Sequence, residues 1–227
     1  GRPGRRPGPC EVAQRNRDQG RHADRQSPEQ RVTLDPEDAE LALRSRDGDL
    51  AAFNTIVQRY QSQVLNLATR ILGNRVRAED VAQETFISAY RAIARFRGGN
   101  LRAWLLRIAA NASRDAMRRS GRRPEQSLDE SLTNPSFQPA SSNESPEDHA
   151  MRSELNAQLQ RAILSLSADH RTVLVLIDVQ ALSYEEAAEA TGASVGTIKS
   201  RLSRARARVR DLLMQHRELL PARYRQT

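Results

Sequence analysis

The stretch LSYEEAAEATGASVGTIKSRLSRARARVR, residues 182–210, decides how the end of the chain folds. Ser183 followed three residues later by Glu186 is a capping box, in which hydroxyl and carboxylate satisfy amides that a helix start leaves unpaired. Gly192 then ends the first helix, because glycine tolerates the left-handed backbone of a helix C-terminus. Ser194 caps a second helix whose apolar positions Val195, Ile198, Leu202, Ala205, Val209 and Leu212 recur every three or four residues. The opposite face carries Thr197, Lys199, Ser200, Arg201, Ser203, Arg204 and Arg208. That mixture suits a helix-turn-helix whose second helix enters the DNA major groove, with cations on phosphates and short polar groups at base edges. A helical hairpin with a solvated basic face is the alternative.

Working outward, the chain has 227 residues, a formal net charge of +8 and a pI near 10.7. Lys199 is its only lysine, so abundant arginine also reflects overall coding bias, and distribution is the better guide. Residues 199–227 carry nine basic and two acidic side chains, whereas residues 124–150 carry six acidic ones and no lysine or arginine. Charge placed in this way favours a polyanionic partner at the C-terminal end. Cys10 is the only cysteine, which excludes an intramolecular disulfide, and the four histidines lie far apart without metal-ligand spacing. The expectation is no metal and no cofactor. No apolar run approaches the ~20 residues of a membrane span, and a soluble cytoplasmic protein without membrane insertion is expected.

Residues 1–33 are rich in Arg, Gly, Pro and Gln and read as a disordered basic tail, since they hold too little apolar surface to offset ordering. At Leu34-Asp35-Pro36, Asp35 caps a short helix that runs to about Arg46. Asp47-Gly48-Asp49 makes a turn and a new cap. A long helix follows with Phe53, Ile56, Val57, Tyr60, Val64, Leu67, Ile71 and Leu72 on one stripe, and Gly73-Asn74 stops it. A third helix, about Arg77 to Phe96, buries Val81, Phe86, Ala89, Ile93 and Phe96. After the loop Arg97-Gly98-Gly99-Asn100, a fourth helix turns Leu101, Trp104, Leu105, Ile108 and Ala112 inward. These four helices form one domain, residues 34–119. Residues 120–149 are rich in Ser, Pro, Asn and acids and read as a flexible acidic linker. Periodicity returns at Met151 with Leu155, Leu159, Ile163, Leu164 and Leu166. Ser167-Ala168-Asp169 caps a helix bearing Val173, Leu174, Leu176 and Ile177. With the helix-turn-helix this makes a second domain, residues 150–216, followed by a tail at 217–227. The fold class is all-α in two small helical domains.

Four stretches taken together resemble the bacterial RNA polymerase sigma factors, in particular the extracytoplasmic-function (ECF) class of the sigma-70 family, which keeps only sigma domains 2 and 4. They are AEDVAQETFISAYRAI (78–93), FRGGNLRAWLLRIAANASRD (96–115), LSADHRTVLVLIDVQALSYEEAAEATGASVGTIKSRLSRAR (166–206) and the link between the two helical domains. The resemblance covers about residues 36–215.

The resemblance implies roles for matching residues. Asp80, Gln83 and Glu84, with Phe86 nearby, look like the surface that docks on the coiled coil of the polymerase β′ clamp; a solvated acidic face with Phe86 in the core is the other reading. Arg97, Gly98, Gly99, Asn100, Arg102, Trp104, Arg107, Asn111, Arg114 and Arg118 fall where the family melts the promoter −10 element and holds its non-template strand. Cations would take phosphates, the glycines would allow close backbone approach, and Asn100 or Asn111 would meet a base edge. Trp104 has two readings, core side chain and stacking platform. FRGGNLRAW is one residue shorter before the tryptophan than many relatives and has Leu101 where they have an aromatic, so the shape of the base pocket is left open. Lys199, Ser200, Ser203 and Arg204 would read bases of the −35 element, with Thr197, Arg201 and Arg208 on phosphates.

The implied function is a promoter-specificity subunit that carries out no catalysis itself. It would bind core RNA polymerase through the β′ clamp and the β flap, recognise the −35 and −10 elements of promoter DNA and nucleate strand opening. The family also implies a cognate anti-sigma factor. The alternative is a stand-alone dimeric helix-turn-helix repressor or activator.

Overall fold

A computed structural model describes residues 35–120 and 146–215 of the chain. The expected basic tail, most of the acidic linker and the C-terminal tail lie outside these described residues. Every regular element among them is helical.

The first helix, α1 (Pro36–Arg46), starts as its sequence requires: the Asp35 carboxylate accepts from the Glu37 amide at 3.0 Å, and Pro36 occupies the first position, where its missing N–H costs nothing. The chain reverses through Gly48 (φ +95°), and Asp49 caps α2 (Leu50–Leu72) by accepting from the Ala51 and Ala52 amides. Arg44 reaches across this turn to Asp49 at 2.6 Å; that hydrogen bond and the cap hold the Asp49 carboxyl below its usual pKa. Arg59 of α2 bridges back to Asp35, Glu37 and Asp38, and the Tyr60 hydroxyl donates to the buried Asp38 carboxylate. Burial first, and then this carboxylate, push the Tyr60 phenol well above its ordinary pKa. These contacts staple α1 along α2.

Gly73 ends α2 in the left-handed conformation (φ +68°), and Asn74 caps α3 (Arg75–Ala92) through the Arg77 amide. α3 starts two residues before the expected Arg77. It stops at Ala92 rather than Phe96, because Ile93–Arg95 tighten into a 3-10 turn that Phe96 closes by donating to the Ile93 carbonyl. α4 (Leu101–Ser120) begins at Asn100, whose side-chain oxygen accepts from the Ala103 amide. Ile56, Tyr60, Ala89, Ile93, Leu101 and Leu105 meet in the core of this first bundle. Each large side chain fully buried there contributes roughly 1.5–3 kcal/mol.

The second bundle opens with α5 (Pro146–Leu164), which begins inside the stretch read as linker. Met151 is exposed, and packing tightens only towards Ala162 and Ile163. α6 (Ala168–Leu174) has Ser167 at its cap position, but contrary to the expected cap the hydroxyl bonds the His170 ring nitrogen at 2.9 Å instead of a backbone amide. α6 then widens into one π turn, Val175–Val179, closed by the Gln180 amide on the Val175 carbonyl. Ala181 leaves the turn with φ +52°, unusual for a residue with a Cβ. α7 (Tyr184–Thr191) and α8 (Val195–Leu213) complete the bundle.

The two bundles share one apolar seam. Val64, Leu67 and Ile71 of α2 and Leu106, Ala109 and Ala110 of α4 lie in the same buried cluster as Val173, Leu176, Ala187, Ile198 and Leu202. Arg171 reinforces the seam from α6: its guanidinium donates to the Ile71 carbonyl at 2.7 Å and to the Leu164 and Leu166 carbonyls. Arg70 and Gln160 exchange a side-chain and a side-chain-to-backbone bond beside it.

Candidate nucleic-acid interface

The helix-turn-helix has the local geometry its sequence calls for. Ser183 Oγ accepts from the Glu186 amide at 3.1 Å, and Glu186 accepts from the Ser183 amide at 2.9 Å, completing the capping box. Gly192 turns the chain at φ +69°, and Ser194 caps α8 through the Thr197 amide. Ile198, Leu202, Ala205 and Val209 are buried, which sets the rotation of α8 about its axis. Val195 and Leu212, expected on the same stripe, are half-buried.

That rotation leaves Lys199, Ser200, Ser203, Arg204 and Arg208 exposed on one side. The candidates differ in freedom. Lys199 lies 5.4 Å from the centre of the Tyr184 ring, a cation–π contact that holds the ammonium at the turn. Ser200 donates to the Thr197 carbonyl, and Thr197 is half-buried beside Ser194. Arg201 turns away from this face and pairs with Asp169 at 2.6 Å. Ser203, Arg204 and Arg208 make no ion pair among the described residues. Arg206, not a candidate, forms a two-pronged pair with Asp178 that raises its pKa.

The candidates on and before α4 divide into two sets. Arg97, Gly98 and Gly99 form an exposed loop with both glycines at positive φ (+91° and +96°), conformations that side chains rarely adopt. Asn111 and Arg118 are exposed, Arg118 next to Asp115. Trp104 is half-buried: its ring lies 5.2 Å from that of Phe96 and packs against the first core, closer to the core reading than to a free stacking platform.

The second set faces the other bundle. Asn100 donates to Glu186 at 2.6 Å, Arg107 pairs with Glu189, and Arg114 reaches Asp169 at 3.4 Å. Arg102 donates to Gln63 Oε1 at 2.6 Å and to the Gln180 carbonyl at 2.5 Å, and its burial depresses the guanidinium pKa. Asn100, Ala103, Arg107, Ala110 and Arg114 recur at helical spacing, so one stripe of α4 carries three of these polar side chains with small residues between them.

On α3, Asp80, Gln83 and Glu84 stand exposed on one face, with Glu84 near Arg119 at 3.6 Å. Phe86 points the other way and packs against the cores, so it does not join them. Ile87, missing from the candidates, does: it is 45% exposed one turn beyond Glu84. An apolar residue between Phe86 and Ala89 reads as core in sequence, and only its rotation off the buried stripe marks it. Among the described residues no cluster of His, Cys, Asp or Glu is arranged to hold a metal ion. No described helix is long and apolar enough to cross a membrane.

Comparison with known proteins agrees with this layout. Residues 56–123 match the family Sigma-70 region 2, and residues 156–209 match Sigma-70 region 4. The RNA polymerase sigma-H factor of Pseudomonas aeruginosa is 39% identical over 175 residues, covering 75% of this chain and 90% of that protein. The ECF RNA polymerase sigma factor SigE of Mycolicibacterium smegmatis is 37% identical over 179 residues, 77% of this chain and 68% of that one. Among solved structures, the Bartonella quintana sigma factor RpoE, crystallised with the anti-sigma factor NepR, superposes with a TM-score of 0.56 at 30% identity, covering 71% of this chain and 96% of that one. The chain therefore belongs to the sigma-70 family, in its ECF class, and is a promoter-specificity subunit of bacterial RNA polymerase.

Proposed function

We propose that the two bundles divide promoter recognition between them. α8 reads the −35 element, with Lys199, Ser200, Ser203 and Arg204 at base edges and Thr197, Arg201 and Arg208 on phosphates. α4 and the loop before it hold the −10 non-template strand, through Arg97, Arg102, Arg107, Arg114 and Arg118 on phosphates and Asn100 or Asn111 at a base. Gly98 and Gly99 admit the backbone closely, and Trp104 forms one wall. Asp80, Gln83 and Glu84, joined by Ile87, dock on the β′ clamp of core polymerase, and the second bundle contacts the β flap. The chain supplies position and strand capture while bond formation belongs to the core enzyme, and it works in the cytoplasm.

One observation carries this reading: the exposed face of α8 concentrates Lys199, Ser203, Arg204 and Arg208 on a helix whose rotation is locked by Ile198, Leu202 and Ala205. A bidentate arginine on guanine there is worth about 1–3 kcal/mol of base discrimination. A cognate anti-sigma factor belongs to the proposal too, supported by the NepR-bound state of the Bartonella relative.

The test is to mix the purified chain with bacterial core polymerase, follow co-elution on a sizing column, and transcribe a fragmented genomic library with the peak. Association at one-to-one with new start sites is the expected result. A chain that stays apart from polymerase, dimerises and shifts duplex DNA alone would refute the assignment.

A further inference from the structure

We infer that Tyr184 is a positioning residue of the −35 reader: its ring holds the Lys199 ammonium so that the remaining N–H groups of this lysine meet the acceptor edge of a base, by its chemistry a guanine. This rests on the proposed reading of DNA by α8 and names what aims one of its side chains. Of the 36 basic side chains in the chain, Lys199 alone is a lysine. It stands near the start of α8, the part of a recognition helix that reaches base edges. A free lysine is a poor reader, because its four-carbon stem has many rotamers to lose and its compact charge is strongly hydrated. The Tyr184 ring centre lies 5.4 Å from the Lys199 ammonium, so part of that freedom is already lost before DNA arrives. Arg201, by contrast, is held by the Asp169 carboxylate at 2.6 Å, a partner that must be given up before a phosphate is bound. A ring face engages only one side of an ammonium, and the other donors stay available.

The ring is itself fixed. Tyr184 opens α7 directly after the Ser183 cap, is half-buried and packs against the apolar cluster. Its hydroxyl oxygen accepts from Arg206, a bond that adds to the raised Arg206 pKa after the larger effect of Asp178. Arg206 is in turn locked by its two bonds to Asp178, at 2.9 and 2.6 Å, and Asp178 belongs to the π turn. Lys199 and Arg206 are seven residues apart, two turns of α8, so they leave the helix on the same side and one tyrosine reaches both. Asp178, Arg206, Tyr184 and Lys199 therefore form a relay that runs from the bundle to the groove. Only its last member has to touch a base.

The test uses the full chain with core polymerase on the strongest promoter that the genomic library yields, its −35 element randomised, and reads base preference position by position from sequenced transcripts. Lys199→Ala should flatten the preference at one position. Tyr184→Leu should cut that same preference about two- to fivefold, the share that an exposed cation–π contact supplies, and leave the other positions alone. Tyr184→Phe should keep most of it, because the ring remains. A polyfluorinated phenylalanine at position 184, whose face carries no negative charge, should lose it as Tyr184→Leu does. These two rings fill nearly the same space, so the difference between them can be read even if Tyr184→Leu lowers stability. In the Lys199→Ala background, exchanging one ring for the other should change nothing. Equal preferences with the two rings, an even loss at every −35 position, or a ring effect that persists in Lys199→Ala overturns the inference. If the rings are equal while Lys199→Ala still flattens one position, Lys199 remains a base reader and only the positioning role falls. If Lys199→Ala flattens none, Lys199 leaves the base-reading set and the positioning role falls with it.

Discussion

A Cβ placed on Gly73 would lie 2.6 Å from Cδ1 of Leu164, so the glycine that ends α2 is also the hollow into which α5 of the second bundle sets its last side chain. Two requirements meet at one residue. The φ of +68° is one that residues with a Cβ rarely adopt, and a Cβ there would have to push aside the tip of the Leu164 side chain.

Gly73→Ala should accordingly lower stability by about 1–2 kcal/mol, from left-handed backbone strain together with the crowded contact. Denaturant midpoints of the single and double variants separate the two causes. With Leu164→Ala in place the contact is gone and the strain remains, so a coupling of about 0.5 kcal/mol or more is expected. Strict additivity would mean that the bundles do not meet here in solution.

Tyr60 should ionise later than a free tyrosine, because its neutral form is favoured by burial and by donation to Asp38. Since the unfolded chain loses that proton first, this group's contribution is intact below about pH 10 and declines as pH rises above it. An alkaline absorbance titration should show a late component that Tyr60→Phe removes. The same substitution should cost about 1.5–3 kcal/mol near neutral pH, the usual worth of a hydrogen bond to a charged group.

Arg204→Ala in holoenzyme should relax discrimination at one −35 base by about 1–3 kcal/mol, five-fold to more than a hundredfold, measured on a panel of single-base promoter variants. Arg208→Ala should instead weaken all variants alike, because phosphate contacts position without specifying. Equal effects of the two substitutions across the panel would remove Arg204 from the base-reading set.

Asp80→Ala and Ile87→Ala should each weaken association with core polymerase by about 1 kcal/mol or more, seen as earlier dissociation on a sizing column or in a titration. Neither should alter folding, since both side chains are exposed. Phe86→Ala, by contrast, should lower the melting temperature through loss of core packing.

What could be read in the sequence is what depends on near neighbours. Asp35 with Pro36, Asp49, Gly73, Ser183 with Glu186, Gly192 and Ser194 each act over four residues or fewer, and all appear where the pattern placed them. Ser167 failed because His170, also three residues on, captured its hydroxyl. The seam was illegible for a different reason: the partners of Arg102 lie 39 and 78 residues away, and an arginine in a basic stripe looks solvated until its acceptors are known. The direction of Ile87 and Phe86 depended on which of two adjacent apolar residues the neighbouring helices claimed. The order of the two family regions was plain from motifs, whereas the occupancy of the α4 stripe was set by folding at a distance.

Arg171 gives the seam a particular energetic character. Its guanidinium is surrounded by carbonyls, with a Met117 sulfur at 3.7 Å and a buried Nε that finds no acceptor, and burial lowers its pKa. A cation enclosed without a carboxylate is stabilised less well than in water. Parting the bundles would hydrate it and return some of what loss of apolar contact takes away. The seam is thus held by two contributions of opposite sign: oily side chains that gain by leaving water, and one hydrogen-bonded cation whose loss of water offsets part of that gain.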